Sequence, residues 1–194
     1  MRYRLAIFLL VLLAGSAFAG NIQGTCDVRF LGTSTLHDFT GTVGSRPFSA
    51  PLSKDAAGKW VLPSVEMHFP VADMKTGNDS RDEKMREMFQ SDRHPVIRAV
   101  ARDVDAEALR EQLRKDREGK VPLPVTLVIR GVERMVQATA FHWKEEGERY
   151  SFDVEFPVSL KEFELKAPSV LGLIRVGDRV IVKGTFALTV QRTP

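Results

Sequence analysis

The stretch Arg149–Leu160, RYSFDVEFPVSL, alternates through its whole length: Tyr150, Phe152, Val154, Phe156, Val158 and Leu160 are apolar, and Ser151, Asp153, Glu155, Pro157 and Ser159 are not. A period of two belongs to a β-strand with one dry and one wet face, because successive side chains leave opposite sides of the pleat. The pattern returns near the end of the chain, where Val180, Val182, Phe186, Leu188 and Val190 share a face with Gly184. Strands this long and this clearly two-sided suit a closed or sandwiched sheet. The functional question is then what fills the space behind the dry faces.

Read outward from Arg149–Leu160, the same periodicity predicts strands near 24–32, 35–44, 60–71, 95–104, 121–130, 133–143, 149–159 and 179–191, with a short extra one near 46–52. Neighbours in sequence that pair directly are antiparallel. Glu145-Glu146-Gly147-Glu148, polar and glycine-containing between two alternating runs, predicts a hairpin turn. Two short helices interrupt the strands. Ser80-x-x-Glu83 has the form of a capping box before the stripe Met85, Met88 and Phe89. Asp105 is the candidate N-cap of a second helix over 106–115, with Leu109 and Leu113 one turn apart. Each helix has only a narrow apolar face, which fits a cover over a barrel and not the core of a bundle. The fold class is all-β with two short helices, an eight-stranded antiparallel barrel.

Residues 1–19 carry Arg2 and Arg4, an apolar run Leu5–Leu13 and the small-x-small sequence Ala17-Phe18-Ala19. That is the layout of a cleaved secretory signal, with the exported working chain, 20–194, beginning at Gly20 as one domain. The run is too short to span a bilayer comfortably, with an uncleaved anchor as the alternative, and no later segment reaches the about 18 apolar residues a crossing helix needs, so stable membrane insertion after cleavage is not expected. Without residues 1–19 the formal charge falls from +3 to +1, so the sequence pI of 9.1 overstates the basicity of the working protein. No dense Lys/Arg block argues for nucleic acid. Cys26 is the one cysteine, which excludes an intramolecular disulfide. It shares a face with Val28 and Phe30, as a buried structural thiol would, with a reactive or dimer-forming thiol as the alternative. A homodimer joined through edge strands stays open.

Motifs for catalysis are missing. There is no phosphate-binding glycine loop, no G-x-S-x-G, no H-E-x-x-H and no C-x-x-C. His37, His68, His94 and His142 are widely spaced. His68 alternates with Met67 and Phe69 and is expected on the solvent side. His37, in register with Phe39, and His142, in register with Val136, Ala138 and Ala140, are expected inward. There they would act as core hydrogen-bonders, as polar tethers for a ligand head group, or, with nearby acids at a barrel mouth, as a metal- or histidine-dependent site. No catalytic residue, metal ligand or cofactor is assigned.

The inward sets mix Phe30, Phe39, Phe69, Phe152, Phe156 and Phe186 with Gly41, Ala138, Ala140 and Gly184. An eight-stranded barrel either fills itself with side chains or holds one small ligand. Small residues opposite large ones leave room for an elongated cavity, and the same mixture also suits a filled, tapering core that serves only as an interaction module.

Several segments taken in order carry a resemblance. They are Ser34–Gly41 (STLHDFTG), Asn78–Met85 (NDSRDEKM) leading to Met88-Phe89 and His94–Ile97 (HPVI), Leu127–Val132 (LVIRGV), Phe156–Phe163 (FPVSLKEF) and Val176–Val180 (VGDRV). Together they resemble the YceI-like family of exported polyisoprenoid-binding proteins, over nearly the whole chain after residue 19. The resemblance implies a periplasmic, extended, lipocalin-like barrel that holds a long isoprenoid of polyprenyl or quinone type, or a similar lipid, without covalent chemistry. The apolar wall residues would be Phe30, Phe39, Phe69, Leu127, Ile129, Phe152, Val154, Phe156, Val182 and Phe186. Met85, Met88 and Phe89 would form an adaptable lid. The chain departs from the family in a more charged helix carrying Ser80 and Lys84, at the end where head-group contacts would lie.

Overall fold

The computed structural model describes residues 20–115, 120–167, 169–170 and 174–192; the expected signal segment lies outside them. In chain order the elements are β1 (Gly20–Ser34), β2 (Phe39–Gly44), β3 (Phe48–Lys54), β4 (Trp60–Pro70), a 3-10 turn (Val71–Asp73), α1 (Asp79–Phe89), β5 (Val96–Asp105), α2 (Ala106–Lys115), β6 (Val121–Ile129), β7 (Val132–Glu146), β8 (Arg149–Ser159), β9 (Ser169–Val170) and β10 (Ile174–Arg192). All the strand pairings are antiparallel, and β1 closes onto β10 from Gly20↔Arg192 to Ser34↔Val176. The result is a closed eight-stave barrel. One stave is shared by two strands, since β2 pairs with β1 over 27–32 and β3 pairs with it over 20–24. Ser45 bridges their junction: its hydroxyl accepts the Cys26 N–H at 2.8 Å and its own N–H donates to the Cys26 carbonyl at 2.8 Å.

β8 carries out the alternation of its sequence: Phe152, Val154, Phe156 and Val158 are buried, and the residues between them face outward. The two hairpins beside it follow local chemistry. Arg130 and Gly131, at φ 52° and 80°, form the two-residue turn from β6 to β7. Gly147, at φ 62°, opens the two-residue turn from β7 to β8. Positive φ at such a turn matches the right-handed twist of the strands it joins. Pro122 and Pro124 have no N–H to give, and the β5–β6 ladder extends only over Arg98–Val100 and Thr126–Val128. α2 packs against β4, β5, β6 and β7 where that ladder is missing, with Leu113 buried and Leu109 partly buried. Asp105 caps it, accepting the Ala108 N–H at 2.8 Å.

Several expectations need correction. β1 begins at Gly20 instead of 24, because ladder bonds to β3 on one side and β10 on the other hold residues whose polarity hides the alternation. β10 likewise starts at Ile174 instead of 179. The strand expected over 35–44 starts only at Phe39. Ser34 explains the delay: its hydroxyl accepts the His37 N–H at 3.1 Å and donates to the His37 carbonyl at 2.6 Å, so residues 34–37 turn. The capping box at Ser80 does not form either. Asn78 is the N-cap of α1 and accepts the Arg81 N–H at 2.9 Å, so the helix begins before Ser80.

Candidate functional site

Behind the dry faces lies a cavity of about 500 Å³ that runs from α1 at one end of the barrel to α2 at the other. Its middle is apolar, walled by residues such as Met67, Ala99, Leu127, Ala138, Val154 and Gly184. An aromatic ladder occupies the α2 half. Phe152 stacks on Phe186 at 4.6 Å between centroids, Phe48 meets Phe186 edge-on at 6.5 Å, and Trp143 lies against Phe152 at 6.0 Å and Tyr150 at 5.4 Å. Polar lining groups gather at the ends: Ser34, His37, Asn78, Ser80, Arg81 and Lys84 near α1, and Arg110 on α2.

How the cavity stays open is visible at two cross-strand pairs. Phe30 pairs with Gly41 and Phe39 with Gly32, and each ring lies in the space that a β-carbon on its glycine would take. The glycines therefore seat the rings flat against the wall instead of adding empty space themselves. Ala138 and Gly184 do line the lumen, whereas Ala140 is fully buried in the core and does not line it.

At the α2 end the Arg110 guanidinium donates to both carboxylate oxygens of Glu145, through Nε at 3.3 Å and through Nη2, with Arg114 at 3.9 Å. The Arg110 hydrogen bond holds the Glu145 carboxyl below the usual range, and Glu145 in turn raises Arg110. At the α1 end, Arg81 lies over the Phe39 ring at 5.0 Å. Asp82, 2 % exposed, accepts the Thr76 N–H at 2.9 Å and the Thr76 hydroxyl at 2.6 Å. The connection after β8 is clipped under this end by Asp178, whose carboxylate accepts the Ser159 hydroxyl at 2.8 Å and the Lys161 N–H at 2.8 Å, and it buries Phe163 and Leu165.

The wall residues named from the sequence meet on one surface: Phe30, Phe39, Phe69, Leu127, Ile129, Phe152, Val154, Phe156, Val182 and Phe186 all line the cavity, as do Met85, Met88 and Phe89 of α1. The two histidines separate. His37 is exposed and lines the mouth from the turn, not from an inward strand position. His142 is not inward at all. A bulge between Phe141 and Lys144, with His142 at φ 57°, reverses the alternation, so Trp143 takes the lumen side and His142 reaches Asp153 on the outer wall at 2.9 Å. His68 faces outward as expected, bonded to Glu66 at 2.7 Å. Among the described residues no three His, Cys, Asp or Glu side chains converge as metal ligands would.

Sequence reasoning missed Trp143, Leu36, Arg81 and the α2 residues Ala106, Leu109 and Arg110 as cavity lining. Leu109 was legible as the apolar stripe of α2. The bulge that turns Trp143 inward leaves no mark in a pattern of period two.

The family model described as the YceI-like domain matches residues 21–188. No curated protein matches the chain. Among solved structures, a polyisoprenoid-binding domain from Saccharophagus degradans is similar at 16 % identity and TM-score 0.60, with 91 % of this chain and 99 % of that one covered. BcnA of Burkholderia cenocepacia is similar at 15 % identity and TM-score 0.60, with 84 % of this chain and 95 % of that one covered. At these identities the likeness establishes the fold.

Proposed function

Because this chain belongs to the YceI-like domain family, we propose that it is a non-enzymatic binding or carrier protein for a long-chain isoprenoid, of polyprenyl or quinone type, or a similar lipid. The observation that carries the reading is the cavity of about 500 Å³ with an apolar middle and polar groups only toward its ends. That volume lies in the range of ligand-binding sites, and the shape suits a tail with one polar terminus. Each buried methylene contributes about 0.8 kcal/mol, so a tail of several isoprene units needs few polar contacts. Selectivity then falls on length and cross-section. The open lumen favours this reading over a filled barrel that serves only as an interaction module. The separation of His37, at the mouth, from His142, on the outer wall, favours it over a histidine-dependent site built on those two residues.

Export to the periplasm, proposed from residues 1–19, fits a carrier working between membranes. The experiment is purification under native conditions, organic extraction and mass spectrometry of what the protein holds. A stoichiometric isoprenoid or acyl compound is the expected result. Repeated preparations without lipid, together with no binding of polyprenyl analogues by the emptied protein, would overturn the reading.

A further inference from the structure

A long isoprenoid is insoluble in water, so a protein that carries one must collect it from a membrane. The inference rests on the proposed cargo and concerns where that exchange takes place. The two ends of the tunnel differ in charge. At the α2 end the lining cation Arg110 is held by Glu145. At the α1 end Arg81 and Lys84 line the mouth, and neither forms an ion pair with a described carboxylate. No Asp or Glu among the described residues lines the cavity anywhere.

The sequence of α1 produces this asymmetry. Positions 81, 84, 85 and 88 fall on one helical stripe, which faces the tunnel with Arg81, Lys84, Met85 and Met88. Asp79, Glu83 and Glu87 lie round the helix from it, and Asp82 is buried against Thr76. The Arg81 guanidinium rests over the Phe39 ring, which keeps it at the lip. Leu36, in the turn between β1 and β2, lines the same cavity as these cations yet is 61 % exposed. The other exposed large hydrophobic among the described residues, Met135, is on β7 and does not line the cavity.

An apolar side chain at a tunnel lip, flanked by cations without acidic partners, is complementary to an anionic bilayer surface. We infer that the α1 lip docks reversibly on anionic lipid, with Leu36 entering the acyl boundary and Arg81 and Lys84 meeting lipid phosphates, so that the tunnel opens onto the membrane. One leucine and two cations, with Asp38 in the same turn opposing them, make a brief contact and not an anchor. Brevity suits a carrier that must leave with its load.

The test is flotation of the protein, as recovered in soluble form with its N-terminus read by intact mass, with vesicles of phosphatidylcholine alone or with roughly one third phosphatidylglycerol. Binding is expected to the anionic vesicles only and to weaken with salt. The double change Arg81→Gln/Lys84→Gln should weaken it by about tenfold or more, and Leu36→Asp by about tenfold. Met135→Asp should stay within about twofold of the parent, and circular dichroism confirms that each variant is folded. The inference is overturned if the lip variants float like the parent, if Met135→Asp loses as much as Leu36→Asp, or if the parent floats with neither vesicle. Loading of a polyprenyl analogue from detergent micelles separates the two readings. Loading without flotation sinks the docking inference alone, and failure to load from micelles sinks the cargo on which it rests.

Discussion

The ring of Phe30 lies across Gly41, its cross-strand partner, in the space a β-carbon would occupy. Any side chain at position 41 must displace the ring, and because Phe30 lines the cavity a displaced ring narrows the lumen. Gly41→Ala and Gly41→Val are therefore expected to cost about 1–3 kcal/mol of stability. They should also weaken binding of a long prenyl chain by at least about tenfold, or ~1.4 kcal/mol. Chemical denaturation reads the first quantity and titration with a polyprenyl analogue the second. Unchanged affinity in a folded Gly41→Val protein would show that the tail does not pass Phe30.

Trp143 and His142 exchange the faces that simple alternation assigns them, and ligand binding can tell which one matters. The chain has two tryptophans, Trp60 and Trp143. In a Trp60→Phe background the emission belongs to Trp143, which lines the cavity against Phe152. Its emission should change as a polyprenyl analogue enters, and Trp143→Ala should lower affinity. His142→Ala should leave affinity within about twofold, since its ring is on the outer wall with Asp153. A larger loss in His142→Ala than in Trp143→Ala would contradict the assignment of faces.

Legibility divided along physical lines. β8 could be read residue by residue because its inner and outer faces meet different solvents, and the inward phenylalanines read from period two do line one cavity. The hairpin at Gly147 was legible because positive φ demands such a residue. What stayed hidden depends on partners distant in sequence or on a single backbone angle. The first residues of β1 are strand because β3 and β10 flank them. His142 points outward because of one bulge. The turn at Ser34 depends on a hydroxyl that competes for the backbone, and it moves His37 from a strand to the rim. The charge asymmetry of the tunnel needed both ends in view: the resemblance put Lys84 at the head-group end, but Arg81 joins it at the mouth only once α1 is laid on the barrel.

Asp82 makes the α1 end sensitive to acid. Burial alone would raise its carboxyl, but the Thr76 hydroxyl and N–H, helped by Lys75 and Arg86, outweigh burial and hold it below its ordinary value of 3.8. A group depressed on folding favours the folded state while it is ionised. Its contribution is therefore present above that ordinary value and lost as pH falls through the folded one. Asp82→Ala leaves the Thr76 N–H and hydroxyl without their acceptor and is expected to cost about 1–3 kcal/mol at neutral pH, lowering Tm by several degrees. As pH falls below that ordinary value and through the folded one, the gap between parent and variant should narrow. A constant difference in Tm across the acid range would show that Asp82 contributes through shape and not through charge.

Cys26 tests whether the wall is as closed as the packing shows. The thiol is 2 % exposed, faces Gly184 from β1, and is pushed up to about 12, first by burial and then by Asp27 and Asp153. At pH 8 only about one thiol in ten thousand would be ionised, and the thiolate is the reactive form. Labelling by a water-soluble disulfide reagent should therefore be slower than that of a small free thiol by at least about a thousandfold. Denaturant should restore a full equivalent. Cys26 also lines the cavity, so a bound polyprenyl analogue should slow labelling further by covering its one approach from within. Rapid, stoichiometric labelling of the folded protein while the analogue fills the lumen would mean that β1 opens from β10 at this level. In that case the lumen would have a second entrance through the barrel wall, and lipid would not need to pass the α1 lip.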